Sequence, residues 1–275
     1  MRRLPSLSQV VSTLLKLLLI LVFVFPFFWM VSTSLQTLRE TMSYPPKLLP
    51  AVPQWENYRL AWESGPFLMY LRNSVLVTLS VIVLQLLTMI PAAYAFAKYA
   101  FFGKGLLFGC VLLAFMIPVQ VTFLPIYLMM ADFGLIRTLW PQIIPFMHNA
   151  FGVFLLRQYF MQVPEELIES ARLDNASEWN ILSRIMVPMA KPALATIALL
   201  SFVGHWNDYF WPLIMTDTID VRPLTIGIAM LKTTESVNNW HVIMAGNVIL
   251  VIPILLVYSV FSQRILNSLA YTGIK

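Results

Sequence analysis

The chain has 275 residues, of which 59% are hydrophobic and only 11% charged, with a mean hydropathy of +0.76. That composition excludes an ordinary soluble domain and points to a membrane protein. The net charge of +5 at pH 7 has no basic face on a soluble domain to accompany it, which excludes nucleic acid as a partner.

A helix rises about 1.5 Å per residue and the hydrocarbon core is about 30 Å thick, so a crossing needs about twenty mainly apolar residues. Six stretches meet that length, at about 11–35, 71–97, 105–130, 139–157, 191–215 and 242–266. The first has the basic head and apolar body of a signal peptide, but its apolar run reaches Met30. It is therefore read as an uncleaved span. A long loop follows, at about 36–70, rich in proline and carrying Trp55, Tyr58 and Trp62. The third stretch holds the one cysteine, Cys110, which is read as a small apolar filler. It also holds Pro118 and Pro125, which loosen a helix, and two polar residues at membrane depth, Gln120 and Thr122. His148 and Asn149 lie near the middle of the fourth stretch, and Asn247 in the outer part of the sixth.

Lys and Arg set the orientation. With the N-terminus inside, Arg2, Arg3, Lys16, Lys98, Lys104, Arg157, Arg172, Arg184, Lys191, Arg264 and Lys275 are cytoplasmic, eleven of the eighteen. Of the remaining seven, Arg39, Lys47, Arg59 and Arg72 belong to or flank the long first loop, where the charge rule has least force. Both termini are accordingly placed in the cytoplasm. Residues 1–275 read as a single transmembrane domain, without internal repeat, low-complexity tract or second soluble domain.

Between the fourth and fifth stretches, at about 158–190, lies a charged and polar segment that this topology makes cytoplasmic. Pro164 suits the first position of a helix, and Glu165 and Glu166 complement its positive end. The helix runs through Leu167, Ile168 and Ala171 to Asp174. Asn175 follows, the non-glycine residue most at ease in the left-handed conformation that ends helices. Ser177 caps a second helix, in which Ile181 and Ile185, like Leu182 and Met186, recur at i, i+4. Pro188 and Pro192 mark the return to the bilayer. A helix, a sharp turn and a second helix are thus predicted. Spacing alone leaves two uses open: an amphipathic loop lying on lipid headgroups, or a docking element for another protein.

"ESARLDNAS" followed by "IMVPM" resembles the EAA loop of bacterial ABC importer permeases, in which this loop is the coupling helix seated on a cytoplasmic ATPase. Glu169 and Ala171 match the first and third residues of E-A-A, with Ser170 between them. Asp174 and Ala176 flank the position usually held by glycine, where this chain has Asn175, and Pro188 matches the proline near the motif's end. A second stretch, "GHWNDYFWPLI" at 204–214, resembles the W-N-x-F/Y-x-W-P-L segment of carbohydrate importer permeases, in particular the second permease subunit of maltose and glycerol-phosphate type systems; "LRNS" at 71–74 has the look of the same subunit.

The resemblance implies an all-α integral membrane protein of six transmembrane helices with the MetI-like fold, in the bacterial inner membrane. It implies a second homologous permease, two ATPase subunits and an extracytoplasmic solute-binding protein as partners, besides membrane lipid. It implies no cofactor on this chain, with ATP and Mg on the partner ATPase. The residues agree: "GKG" at 103–105 lacks the earlier glycine and the following hydroxyl of a phosphate-binding loop. His148, His205 and His241 form no metal-ligand spacing, and no nucleophile, base and orienting group can be assembled.

A pathway for a hydroxylated solute needs polar groups at membrane depth and aromatic faces for sugar rings. Gln120, Asn149, Trp206, Asn207, Asp208, Tyr209 and Trp211 are the candidates. The alternative is that the aromatics form an interfacial belt and the amides tie helices together; Asp208 is also spaced to pair with His205 across one turn. Other ABC importers, for polyamines, anions or peptides, share the loop. An integral-membrane enzyme or a secondary carrier is the alternative from another class, against which the absent catalytic set and absent inverted repeats weigh.

Overall fold

A computed structural model of the chain describes residues 7–232 and 239–272, and among the described residues every regular element is helical. Arg2, Arg3 and Lys275, used above for orientation, lie outside them. The chain divides into two compact units, Met1–Phe67 with Gly227–Ile252, and Leu68–Ile226 with Pro253–Lys275.

In the first unit, α1 (Leu7–Ser34) is the expected first span, and none of its most apolar window is buried within the chain. The loop after it is folded around α2 (Leu38–Thr41) and α3 (Glu56–Glu63). Thr37 and Glu40 form a capping box, and Glu40 also accepts from Ala51 N at 2.9 Å, with Lys47 at 3.8 Å. The backbone N–H groups of Thr37 and Ala51, followed by the Thr37 hydroxyl, hold the Glu40 carboxyl down at about 2. The Asn57 amide spans two carbonyls, those of Ser34 and Gln36, each at 2.8 Å.

The second unit is built on α4 (Phe67–Lys98), the expected second span. The expected third span is not one continuous helix: α5 (Lys104–Met116) and α6 (Val119–Asp132) meet at 97°. Pro118 has no N–H and disfavours helical backbone in the residue before it, and Ile117 is extended, with ψ 117°. The expected fourth span is also interrupted. Pro141 and Pro145 sit in two tight turns, Trp140–Gln142 and Ile144–Phe146, and only α7 (Ala150–Met161) is α-helical. Its 12 residues reach about 18 Å, short of a crossing.

α8 (Glu165–Leu173) and α9 (Glu178–Ile181) follow, the latter continuing through a π turn at Leu182–Met186 into α10 (Val187–Met189). A 77° bend leads into α11 (Lys191–Trp206). The expected fifth span breaks at Asn207–Tyr209 before α12 (Phe210–Met215). Then come α13 (Leu224–Ala229) and α14 (Trp240–Thr272), the expected sixth span. Among the described residues three helices are long and apolar enough to cross a membrane, and each bent pair adds one more if it counts as a single span.

The second unit's core gathers Met89, Ala93 and Tyr94 of α4, Leu156 and Phe160 of α7, Ile168 of α8, and Ile181, Leu182 and Met186 after the turn. Approach is tight: a Cβ on Gly152 would lie 2.5 Å from the Met89 sulfur, so any larger residue there would force the buried Met89 side chain to shift.

Candidate functional site

The polar segment after α7 is the helix–turn–helix that its residues predict. Pro164 sits one position earlier than expected, as the N-cap of α8, with Glu165 and Glu166 in the first turn. Asn175 has φ 57°, among the described residues the one non-glycine in the left-handed region. Its N–H donates to Arg172 O at 3.0 Å and that of Ala176 to Ala171 O at 2.9 Å, closing the helix end. The Ser177 hydroxyl accepts from Asn180 N at 3.3 Å and starts α9.

The segment has two faces. Ile168 is 0% exposed and packs, with Ile181, Leu182 and Met186, into the core, and Ala171, Ala176 and Pro188 are half-buried. Glu169, Ser170, Asp174 and Asn175 are exposed, together with three large apolar side chains: Leu167, Leu173 at 84% and Trp179 at 68%. Apolar groups held out on a framework that is itself packed down form a surface suited to a partner.

That framework is tied to the end of α4 by residues that sequence reasoning missed. The Tyr94 hydroxyl donates to Glu178 Oε2 at 2.7 Å, and Arg172 Nε donates to Glu178 Oε1 at 3.0 Å. Tyr99 meets Tyr94 edge-on at 5.6 Å. Hydrogen bonding from the Tyr99 and Tyr94 hydroxyls outweighs desolvation and, with Arg172, holds the Glu178 carboxyl down at about 2. Beside it the nearly buried Lys98 ammonium donates to Val163 O at 2.8 Å and Glu165 Oε2 at 3.0 Å. Arg157 donates to Phe96 O at 3.0 Å while its guanidinium lies 4.3 Å over the Phe108 ring. The one local signal was the spacing of Tyr94 and Lys98, polar groups at i, i+4 where an apolar span ends.

Of the intramembrane candidates, Asn149 enters a connected polar cluster. Its side chain caps α7 by accepting from Gly152 N at 2.8 Å and donates to Gln85 Oε1 at 3.3 Å and Ser201 Oγ at 3.4 Å. Ser201 donates to the same Gln85 oxygen at 2.6 Å, and the Gln85 amide donates to Phe146 O at 2.9 Å. These groups line a cavity of about 200 Å³ with Gly204 and His205. Asn149 and Phe151 also line a second cavity of about 490 Å³, which holds Thr122 and His148 and abuts the bend between α5 and α6. Gln85, Ser201 and His205 were not among the predicted residues.

The remaining candidates are dispersed. Trp206, at 3% exposed, stacks on Phe202, and Trp211, at 1%, donates from Nε1 to Pro141 O at 2.8 Å, so the chain's own packing covers both rings. Asp208 does not pair with His205: its carboxylate accepts from Trp211 N at 3.3 Å, while His205 lies against Gln85 and the Phe146 ring. Asn207 is exposed and donates to Val203 O at 3.0 Å; Gln120 and Tyr209 are exposed. In "LRNS", the Asn73 amide donates to the carbonyls of Asp220 at 2.8 Å and Arg222 at 3.0 Å, and Ser74 Oγ accepts from Leu224 N at 2.8 Å. Among the described residues no group of three or more His, Cys, Asp or Glu could hold a metal.

Residues 86–270, which contain the helix–turn–helix, Asn149, Ser201 and His205, match the family of binding-protein-dependent transport system inner membrane components. The chain belongs to this family. As such a component it is a non-catalytic permease subunit of an ABC transporter. It is 30% identical over 273 residues to the arabinooligosaccharides transport system permease protein AraQ of Bacillus subtilis, covering 98% of this chain and 97% of that protein. It is likewise 30% identical over 272 residues to the diacetylchitobiose uptake system permease protein NgcG of Streptomyces coelicolor, covering 98% and 88%. Among solved structures, a bacterial ABC transporter involved in the import of the acidic polysaccharide alginate superposes with a TM-score of 0.84 at 26% identity, covering 95% of this chain and 99% of that one. The resemblance to carbohydrate importer permeases carried by "WNDYFWPL" and the all-α fold of that family are both borne out.

Proposed function

We propose that this permease carries a sugar, an oligosaccharide or a sugar-like solute of the glycerol-phosphate kind across the inner membrane, driven by a separate ATPase that seats on residues 164–189. The observation that carries this reading is the pairing, in one short segment, of a buried anchor (Ile168, Ile181, Met186) with an outward face of Leu167, Glu169, Ser170, Leu173 and Trp179. A loop lying on headgroups needs no such seat in its own chain. The assembly is a second homologous permease beside this one, two ATPase subunits carrying ATP and Mg in the cytoplasm, and a solute-binding protein outside, with both termini of this chain cytoplasmic. ATPase closure moves the seat, and the moving seat reopens the pathway on the other side; such switching requires docking free energy that differs between the two states. On the pathway side, Asn149 with Gln85, Ser201 and His205 offers amide, hydroxyl and imidazole groups to solute hydroxyls. Gln120, Asn207, Asp208 and Tyr209 are assigned to the pathway's wall, and Trp206 and Trp211 to positioning it. The relatives named for arabino-oligosaccharide and diacetylchitobiose transport support the solute class.

The test is a cysteine at Ser170 or Asn175 in the assembled transporter. Crosslinking to the ATPase that changes with nucleotide is expected, and Glu169→Gln should lower uptake. A label that reacts with lipid probes but never with the ATPase would overturn the seat. Uptake in proteoliposomes with purified binding protein, comparing oligosaccharides against polyamines and peptides, settles the solute class.

A further inference from the structure

Four interruptions separate the coupling segment from the outer face along the chain itself: the 77° bend before α11, the break at Asn207–Tyr209, the 97° bend between α5 and α6, and the two tight turns before α7. A displacement entering any of these elements meets a joint. α4 is different. It runs 32 residues without a break, about 48 Å at 1.5 Å per residue. Pro91 removes one helical hydrogen bond, but Met89, Ala93 and Tyr94 are packed to near-zero exposure around it and hold the helix course. Both ends of α4 are fastened by side chains. At the cytoplasmic end, Tyr94 and Lys98 grip Glu178 and the Val163–Glu165 stretch on either side of the coupling turn. At the other end, Asn73, 0% exposed, bridges two carbonyls of the segment at 219–224, and Ser74 takes the N–H of Leu224. In the topology read from the charges, that segment lies between the fifth and sixth stretches, outside the membrane on the side where solute arrives.

We infer that α4 is a rigid rod linking the outer segment at 219–224 to the cytoplasmic coupling turn, with Asn73 and Ser74 positioning one end and Tyr94 and Glu178 the other. Engagement of the binding protein outside reaches the ATPase through this rod, and ATPase closure reaches the outer segment by the same route. The inference rests on the importer reading above. It adds a specific consequence: the two ends act in series, so cutting either one disconnects the rod, and cutting both costs no more than cutting one. Two ties with merely local structural roles would instead multiply their effects.

The experiment uses the complete transporter in proteoliposomes, comparing ATP hydrolysis with and without solute-loaded binding protein. Tyr94→Phe removes only the hydroxyl donor, and Asn73→Ala removes both outer bonds. Each single variant is expected to cut the stimulation ratio about fivefold, the size expected for losing one or two buried or charge-assisted hydrogen bonds. The double variant should fall to the same level as the weaker single. If either single variant keeps the wild-type ratio, or if the double variant falls about twenty-five-fold as independent effects would multiply, the rod is wrong. Glu178→Gln and Ser74→Ala form a second pair, to be used if a variant of the first fails to assemble by size exclusion. Wild-type protein that shows no stimulation at all would overturn the importer reading itself, an outcome distinct from a stimulated wild type with indifferent variants.

Discussion

Asn175 stands at φ 57° between the two helices of the 164–189 segment, where an ordinary L-residue crowds its Cβ against the backbone at a cost of roughly 1–2 kcal/mol. Asn tolerates that region, and glycine is free in it. Replacing Asn175 with Gly should therefore leave the turn intact, with Ala costing about 1 kcal/mol and Val about 2 kcal/mol. At about 1.4 kcal/mol per decade, these costs thin the population of closed turns by about fivefold and about thirtyfold respectively. The bonds at stake are Asn175 N to Arg172 O and Ala176 N to Ala171 O, which set the angle at which α8 leaves α9. The assay is uptake by proteoliposomes in parallel with nucleotide-dependent crosslinking from Ser170→Cys. The expected order is Gly equal to Asn, then Ala, then Val, in both measurements. Equal uptake by the Gly and Val variants would refute the claim that this backbone turn positions the coupling surface.

Ile168→Ala should destabilise the purified protein by about 2–4 kcal/mol, because a fully buried side chain leaves a cavity. Leu173→Ser should leave the melting temperature unchanged yet weaken ATPase retention on an affinity column, and the opposite pattern would reverse the assigned faces. Gln85→Leu strands the Phe146 carbonyl and removes the acceptor of Ser201 and Asn149, at about 1–3 kcal/mol. It should lower both melting temperature and uptake, and Gln85→Glu should lower both as well, because a carboxylate keeps the acceptor but cannot donate to the Phe146 carbonyl and would bury a charge there. Glu178 is a carboxylate whose folded value is depressed from 4.5 to about 2, so its contribution is fully present above about 4.5 and is lost as pH falls from there towards 2. A fluorophore on Ser170→Cys in a Cys110→Ala background should report a steady segment from pH 8 to about 5 and loosening below 4.5; loosening at pH 6 would contradict the geometry.

Features governed by neighbours in the chain were legible before any fold was known. Pro164, the two glutamates, Asn175 and Ser177 together specify a start, a left-handed stop and a new start, because capping rules act over three or four residues. The apolar runs of α1, α4 and α14 likewise announce themselves by length. Hydropathy averages over a window, however, and does not register a joint within it. Pro118 and Pro125 were visible as helix disturbers, but whether a proline ends a span, as Pro118 does, or sits within a helix, as Pro125 does, depends on what packs against the freed backbone. Asn207 and Asp208 were weighed as pathway groups, whereas in the fold both accept or donate within a helix break. The Tyr94–Glu178 bond joins residues 84 apart, and nothing local to either foretells it. Trp206 and Trp211 show the same limit: residue type marks an amphipathic aromatic, and only packing decides whether its face is covered.

The most oily part of α1 touches nothing of its own chain closely enough to be buried. Exchanges among Leu, Ile, Val and Phe along it therefore go unnoticed by the interior around Leu156, and they register only with whatever surrounds the helix. Over generations that stretch is free to drift, or to be re-tailored to a new neighbour, at a pace the tightly packed face of α4 cannot follow.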